Sequence, residues 1–360
     1  MEDKKSALIA MSGGVDSSLA AYIMKKEGYR CMGVTMRLYR NNDVGLMDYH
    51  TCCSQSDIDD AALVAAQIGI PYEVLNYRAD FREQVIEKFV RIYEAGGTPN
   101  PCIDCNRYLK FEKLFFYAWE KGLNYIVTGH YARIEKDEVT GRYLLKKAAD
   151  DSKDQSYVLY SLTQRQLEHI RFPLGNMTKV HTRELADEAG LVTAHKHDSQ
   201  DICFVPDGDY VRFMEDYRGK TYEAGDFLDM QGNVIGRHKG AVRYTIGQRK
   251  GLNLAMGHPV YVVGKDMEKN TVTIGEEKDL YTDVLTAGDV NWISIAELNA
   301  PMRITARTRY RQKEESGMVY PLEDGKIRIE FDRPQRAVTA GQAVVMYDGD
   351  IVVGGGTIIS

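Results

Sequence analysis

Three stretches of this 360-residue chain combine residue types and spacings that suit chemistry. The first is Ser12-Gly13-Gly14-Val15-Asp16-Ser17-Ser18, between an apolar run and an amphipathic one. Glycines let backbone amides turn toward a polyphosphate, serine hydroxyls add donors, and the start of the next helix adds a partial positive field. Asp16 has the wrong sign for phosphate, but one carboxylate together with phosphate oxygens is a usual magnesium site. A glycine turn with serine caps is the plainer reading; the position at the carboxyl end of a first strand favours the anion cradle. The second stretch, Thr98 to Arg107, is a proline-bracketed loop predicted to enter a helix over 107–120. That puts Cys105 near the first turn, where the helix field favours thiolate over thiol. The third, Asp198 to Phe204, sets Cys203 in a polar loop. Two such cysteines flanking a nucleotide could serve as nucleophile and sulfur carrier, while each alone could equally be a structural thiol.

These residues need a frame, and the first two hundred residues supply a strand-helix alternation. Apolar runs at 7–11, 31–38, 72–75 and 125–128 alternate with helical patterns at 16–26, 56–68, 80–93 and 107–120. Such a pattern predicts a mostly parallel sheet whose ligands sit beyond the strands' carboxyl ends. After about Pro206, turn signals at Lys269-Asn270, Asp324-Gly325 and Asp348-Gly349 separate two-residue alternations, which predicts an all-β carboxyl half. Acids exceed bases, 52 to 46, for a net charge of -6. Yet 237–250 and 303–313 each carry five Lys or Arg and no acid, with Tyr244 and Tyr310 among them. Two such stripes suit an RNA backbone and stacked, unpaired bases. Six cysteines in so long a chain fit a reducing compartment better than a disulfide scaffold. Cys31 is expected in the core and Cys52-Cys53 in a structural role; His195-x-His197 is read as solvated rather than zinc-bound. Without an apolar run of eighteen residues, no membrane partner is expected and the location is read as cytoplasmic.

The ordered motifs resemble one family. The glycine loop is similar to that of the ATP pyrophosphatases. Met11 through Ser18, Thr98-Pro99-Asn100-Pro101, Cys105-Asn106, Thr128-Gly129-His130-Tyr131, Lys153 through Tyr157, Ile202-Cys203-Phe204, Gly247 through Gly251, Arg307 through Gln312 and Thr339 through Gln342 together resemble bacterial tRNA-specific 2-thiouridylases. The resemblance implies an α/β parallel-sheet ATP pyrophosphatase (adenine nucleotide alpha hydrolase-like) domain, followed by a small β-rich module and a C-terminal β-barrel. The expected divisions are 1–205 for catalysis, with 206–280 and 281–360 touching tRNA.

The same resemblance implies ATP-dependent 2-thiolation of the wobble uridine in tRNAs for lysine, glutamate and glutamine. Cys105 would be the nucleophile, Cys203 the persulfide carrier, and Asp16 would serve magnesium. Ala10, Met11, Ser12, Gly13, Gly14, Val15, Asp16, Ser17, Met36 and Gly129 would touch ATP. Asn100, Pro101 and Cys102 would border the target base. Lys153, Asp154, Gln155, Arg309 and Tyr310 would touch tRNA, with His130 and Gln342 shaping its discrimination. A sulfur-donor protein, a cysteine desulfurase or sulfur relay, is the implied partner. One departure stands out: the commoner family pattern has Asp where this chain has Cys102. The resulting Cys102-x-x-Cys105, with Cys203, has the spacing of an iron-sulfur cluster site. The persulfide route is preferred because the remaining motifs follow it; a carbonyl-adenylating amide ligase of the same superfamily, needing no cysteine, is the other alternative.

Overall fold

A computed structural model describes residues 5–39, 55–197 and 202–360 of the protein. Cys52 and Cys53, and Asp198 through Asp201, lie outside the described residues. The chain divides into two compact units, Met1–Ile86 with Pro101–Asp209 and Asp350–Val353, and Glu87–Asn100 with Tyr210–Gly349 and Gly354–Ser360.

The first unit is organised by β1 (Ser6–Ala10), α1 (Val15–Lys26), β2 (Arg30–Arg37), α2 (Gln55–Gln67), β3 (Tyr72–Asn76) and β4 (Tyr125–Val127). Strand order is β3-β2-β1-β4 followed by Ile170–Arg171, and every pair is parallel. Ala7, Leu8 and Ile9 of β1 have no exposed surface, as expected of a strand covered on both faces. The chain moves outward in one direction from β1 to β3 and then returns to the other side of β1 at β4. The loops after β1 and β4 therefore flank a topological switch point, where open α/β sheets hold ligands. Cys31 packs in the core behind this sheet, where burial pushes its thiol up to about 11.

Two expectations are corrected. The helix expected from residue 107 begins at Pro101 and runs through Pro101–Asp104, a π-helical segment Cys105–Lys113, and Leu114–Glu120. Proline is favoured at a first helical position because its missing N–H has no partner there, so Pro101 opens the helix instead of delaying it. Cys105 therefore lies past the first turn, which Cys102 occupies. The half expected to be all-β begins with a helix, Tyr210–Arg218. Within its unit that helix packs against Glu87–Glu94, through a Tyr93–Tyr210 stack at 4.3 Å and a Phe89–Phe213 edge contact at 6.2 Å.

The remaining strands of the second unit follow the hairpin reading. Tyr261–Asp266 and Thr271–Gly275 join Gly225–Leu228 and Val234–His238 in a four-stranded sheet. Strands between Tyr281 and Ile358 form a six-stranded barrel, closed by pairing of Tyr281–Trp292 with Ile351–Ile358. Asn270 at the first hairpin turn and Asp324 in the barrel adopt positive φ, 52° and 57°, as tight turns require.

Candidate active site

The anion loop is fixed by close backbone approach. Gly13 has φ +73°, and a Cβ there would lie 2.2 Å from the Asp57 carbonyl oxygen of α2. Gly129, after β4, faces the start of α1 so closely that a Cβ would meet the Asp16 carbonyl carbon at 2.6 Å and the Ser17 nitrogen at 2.7 Å. Ser17 Oγ accepts from the Ser12 N–H at 3.0 Å and donates to the Gly14 carbonyl, closing the loop on itself. Thr35 Oγ1 donates to the Met11 carbonyl at 2.6 Å and accepts from Tyr72 OH, which ties the end of β1 to β2. The loop's shape is thus set by bonds within the protein, with α1 starting at it.

Asp16 has partners that the sequence reading missed. Lys179 Nζ pairs with Asp16 Oδ1 at 2.6 Å, and Tyr131 OH donates to the same oxygen at 2.9 Å. Tyr131 OH also lies 3.0 Å from Thr182 Oγ1 on the Lys179–Glu188 helix. A lysine just after the Thr178 cap opposes the helix field. That local mismatch was the available signal that its charge serves something else.

A cavity of about 310 Å³ opens beside the loop, large enough for part of a nucleotide. Ala10, Met11, Ser12, Asp16, Ser17, Met36 and Gly129 line it, together with Pro101, Cys102, Cys105, His130, Gln155 and Cys203. The two expected loop cysteines therefore share one cavity with the anion loop. Cys105 is buried, Cys203 half-buried and Cys102 exposed. The Cys203 segment is held by Tyr39, whose hydroxyl donates to the Cys203 carbonyl at 2.5 Å, and by Phe204 packed edge-on against Phe81. Among the described residues, no group of three or more His, Cys, Asp or Glu side chains is placed to hold a metal ion.

His130 lies between Phe111 and Phe172 and shares a hydrogen bond of 2.7 Å with Thr128 Oγ1 through Nδ1. Burial, assisted by the nearby Lys110 charge, holds its imidazole well below the usual histidine range and hence neutral at pH 7. Gln155 exchanges hydrogen bonds with the Tyr131 backbone. Asp154 is buried and accepts from the Ala148 and Ser156 N–H groups; Lys153 is half-buried in the same turn. Gly14 caps α1 and Val15 begins it.

The remaining expected residues lie in the second unit. Gln342 Nε2 donates to the Thr98 and Pro99 carbonyls, bracing the backbone that leads to Asn100. Arg309 donates to the Ile246 and Ala337 carbonyls and to Thr339, while Tyr310 is exposed. Tyr244, expected as a stacking platform, is buried against Phe227 and His238 instead. Both basic stripes are partly neutralised by acids outside their sequence windows: Arg307 pairs with Glu314 at 2.8 Å, Arg303 with Asp332, and Arg243 with Glu215 at 2.7 Å. Lys239, Arg249, Lys250, Arg311 and Lys313 are exposed and, among the described residues, have no ion-pair partner.

Residues 5–207 match the family described as tRNA methyl transferase HUP domain, residues 211–276 the corresponding PRC-barrel domain, and residues 282–358 an aminomethyltransferase beta-barrel domain. The chain is 52% identical to a tRNA-specific 2-thiouridylase MnmA of Acetivibrio thermocellus, with 99% of each chain covered. It is 50% identical to the protein of the same name from Clostridioides difficile, covering 98% of each. Identity to the MnmA 1 protein of Thermoanaerobacter sp. is 51%, again over 99% of each.

Proposed function

Because this chain belongs to the tRNA-specific 2-thiouridylase family, we propose a reaction order for the tRNA 2-thiolation it catalyses, drawn from what its own cavity holds. The enzyme is a tRNA sulfurtransferase. ATP binds with its phosphates at Ser12 to Ser17, where the loop amides and the start of α1 receive negative charge. Asp16, through the oxygen not paired with Lys179, would hold magnesium, which would neutralise phosphate charge. O2 of the wobble uridine attacks the α-phosphorus, pyrophosphate leaves, and the oxygen of C2 becomes part of AMP, a good leaving group.

Cys203 enters carrying a persulfide from a sulfur-donor protein. Its terminal sulfur attacks C2, the C2–O bond breaks, and AMP departs. Cys105 Sγ, as thiolate, then attacks Cys203 Sγ; the sulfur–sulfur bond to the base breaks and 2-thiouridine is released. A Cys105–Cys203 disulfide remains, to be reduced by an external thiol. His130, being neutral, can accept or donate a hydrogen bond at the base without adding charge. Residues 1–205 carry this chemistry; 206–280 and 281–360 hold the tRNA.

The observation that carries this reading is one cavity lined by the anion loop and by Cys105 and Cys203. An amide ligase would need the loop but neither thiol. Purified protein incubated with unmodified lysine tRNA, ATP, magnesium and a sulfur source should form 2-thiouridine and release pyrophosphate. Production of ADP and orthophosphate, or unimpaired turnover by either Cys105→Ser or Cys203→Ser, would overturn it.

A further inference from the structure

With the helix beginning at Pro101, Cys105 loses the first-turn position that would have stabilised its thiolate, so another source of positive charge is needed. The π-helical segment Cys105–Lys113 supplies one. Its register is visible where the Leu114 N–H donates to the Leu109 carbonyl, five residues back. In an α-helix, residues five apart diverge by about 140° around the axis; a π turn returns them to nearly the same side. Cys105 and Lys110 stand five apart, and both line the cavity. Lys110 is half-buried, and among the described residues its side chain has neither an ion pair nor a hydrogen bond.

We propose that Lys110 is a positioning residue that holds the Cys105 sulfur as thiolate, placed on the cavity wall by the π-helical turn between them. The inference rests on the role given to Cys105 above. A cationic side chain facing a cavity without a counter-ion lowers the cost of forming an anion beside it, and the thiol proton leaves to solvent. The other titratable groups on that wall are Asp16, already answered by Lys179, neutral His130, and the thiols of Cys102 and Cys203. Near the helix, Asp80 pairs with Lys113 at 2.7 Å, and Asp104 is buried one residue before Cys105. Lys110 also lies near enough to His130 that, after burial, its charge helps lower the imidazole's basicity.

The test is the pH profile of Cys105 alkylation by iodoacetamide in a Cys102→Ser background, read by fragment mass spectrometry. The profile gives the thiol midpoint without requiring turnover. The parent should have a midpoint below the free-thiol value of about 8.5. Lys110→Met should raise it by about one unit or more, and Lys110→Arg should keep it low. Lys110→Gln serves as the neutral variant if Lys110→Met does not fold. An unchanged midpoint in a folded neutral variant would overturn the proposal. A raised midpoint alongside full activity of Cys105→Ser would uphold the action of Lys110 and overturn the role of Cys105 in the relay.

Discussion

Gly129 is a residue at which the anion loop can be disturbed from outside the loop itself. Its Cα faces backbone, not a flexible side chain, so Gly129→Ala must push the start of α1 away from the end of β4. The expected cost is about 1–3 kcal/mol of stability, with ATP affinity falling more steeply than tRNA affinity; calorimetric titration with each ligand would check this. Asp16 and Lys179 form a partly buried pair, and removing either partner takes from the other its opposite charge at 2.6 Å. Asp16→Ala should abolish tRNA-dependent pyrophosphate release. In a double-mutant cycle, Asp16→Ala with Lys179→Met should cost less stability than the sum of the single changes. His130 and His238 are both held below the ordinary 6.5 by burial. The unfolded chain then binds more protons than the folded one, so stability should fall as pH drops below about 6.5. Chemical denaturation across pH 5–7 should show this slope, and His238→Phe should flatten it.

Among the elements, the strand Tyr261–Asp266 carries Lys265, whose buried Nζ has no hydrogen-bond partner. Burial pulls its amine down to about 8, so the folded state releases this proton well before the unfolded chain does. Stability should therefore rise between about pH 8 and 10.5, and Lys265→Met should gain on the order of 2 kcal/mol at pH 7. A variant no more stable than the parent would show that the amine finds water or an anion. The same scale shows what the sequence could and could not reveal. The parallel sheet and the placing of the anion loop after its first strand are legible because apolar runs such as Ala7-Leu8-Ile9 and the Gly13-Gly14 turn are local signals; the strand order that makes the switch point is not. The hairpin turn at Asn270 is legible for the same reason. The π-helical register is not, since it changes which face Lys110 occupies without changing composition. Nor can a sequence window reveal that Asp332 and Glu314 answer Arg303 and Arg307, because cross-strand pairing is set by register. Tyr244 reads as exposed because basic neighbours obscure its place in the Phe227 core.

At the scale of the whole molecule, a net charge of -6 coexists with a nucleic-acid substrate: in the two basic stripes, five cations are exposed and without an ion-pair partner among the described residues. Lys239, Arg249, Lys250, Arg311 and Lys313 should carry the salt dependence of tRNA binding. Each alanine substitution that removes one phosphate interaction should lower the slope by about 0.7 to 0.9. Alanine at Arg303 or Arg307, already ion-paired, should change the slope less. Arg309→Ala should first lower the melting temperature, because its guanidinium joins the Ile246 and Ala337 backbones. Equal slopes for the unpaired and the paired sets would mean that RNA binds another face. Among the described residues, no helix is long and apolar enough to cross a membrane.

If the two thiols of one cavity act in sequence on an adenylated base, the products of a single turnover must be linked one to one. A single turnover with protein preloaded with persulfide sulfur, ATP and tRNA, without reductant, tests this most directly when both products are counted. The expected result is one Cys105–Cys203 disulfide in the peptide map for each 2-thiouridine formed, while Cys105→Ser stalls with tRNA joined through the transferred sulfur to Cys203 and releases no thiolated tRNA. Stoichiometric 2-thiouridine with both cysteines still reduced, or product release by Cys105→Ser at the parent rate, would contradict it.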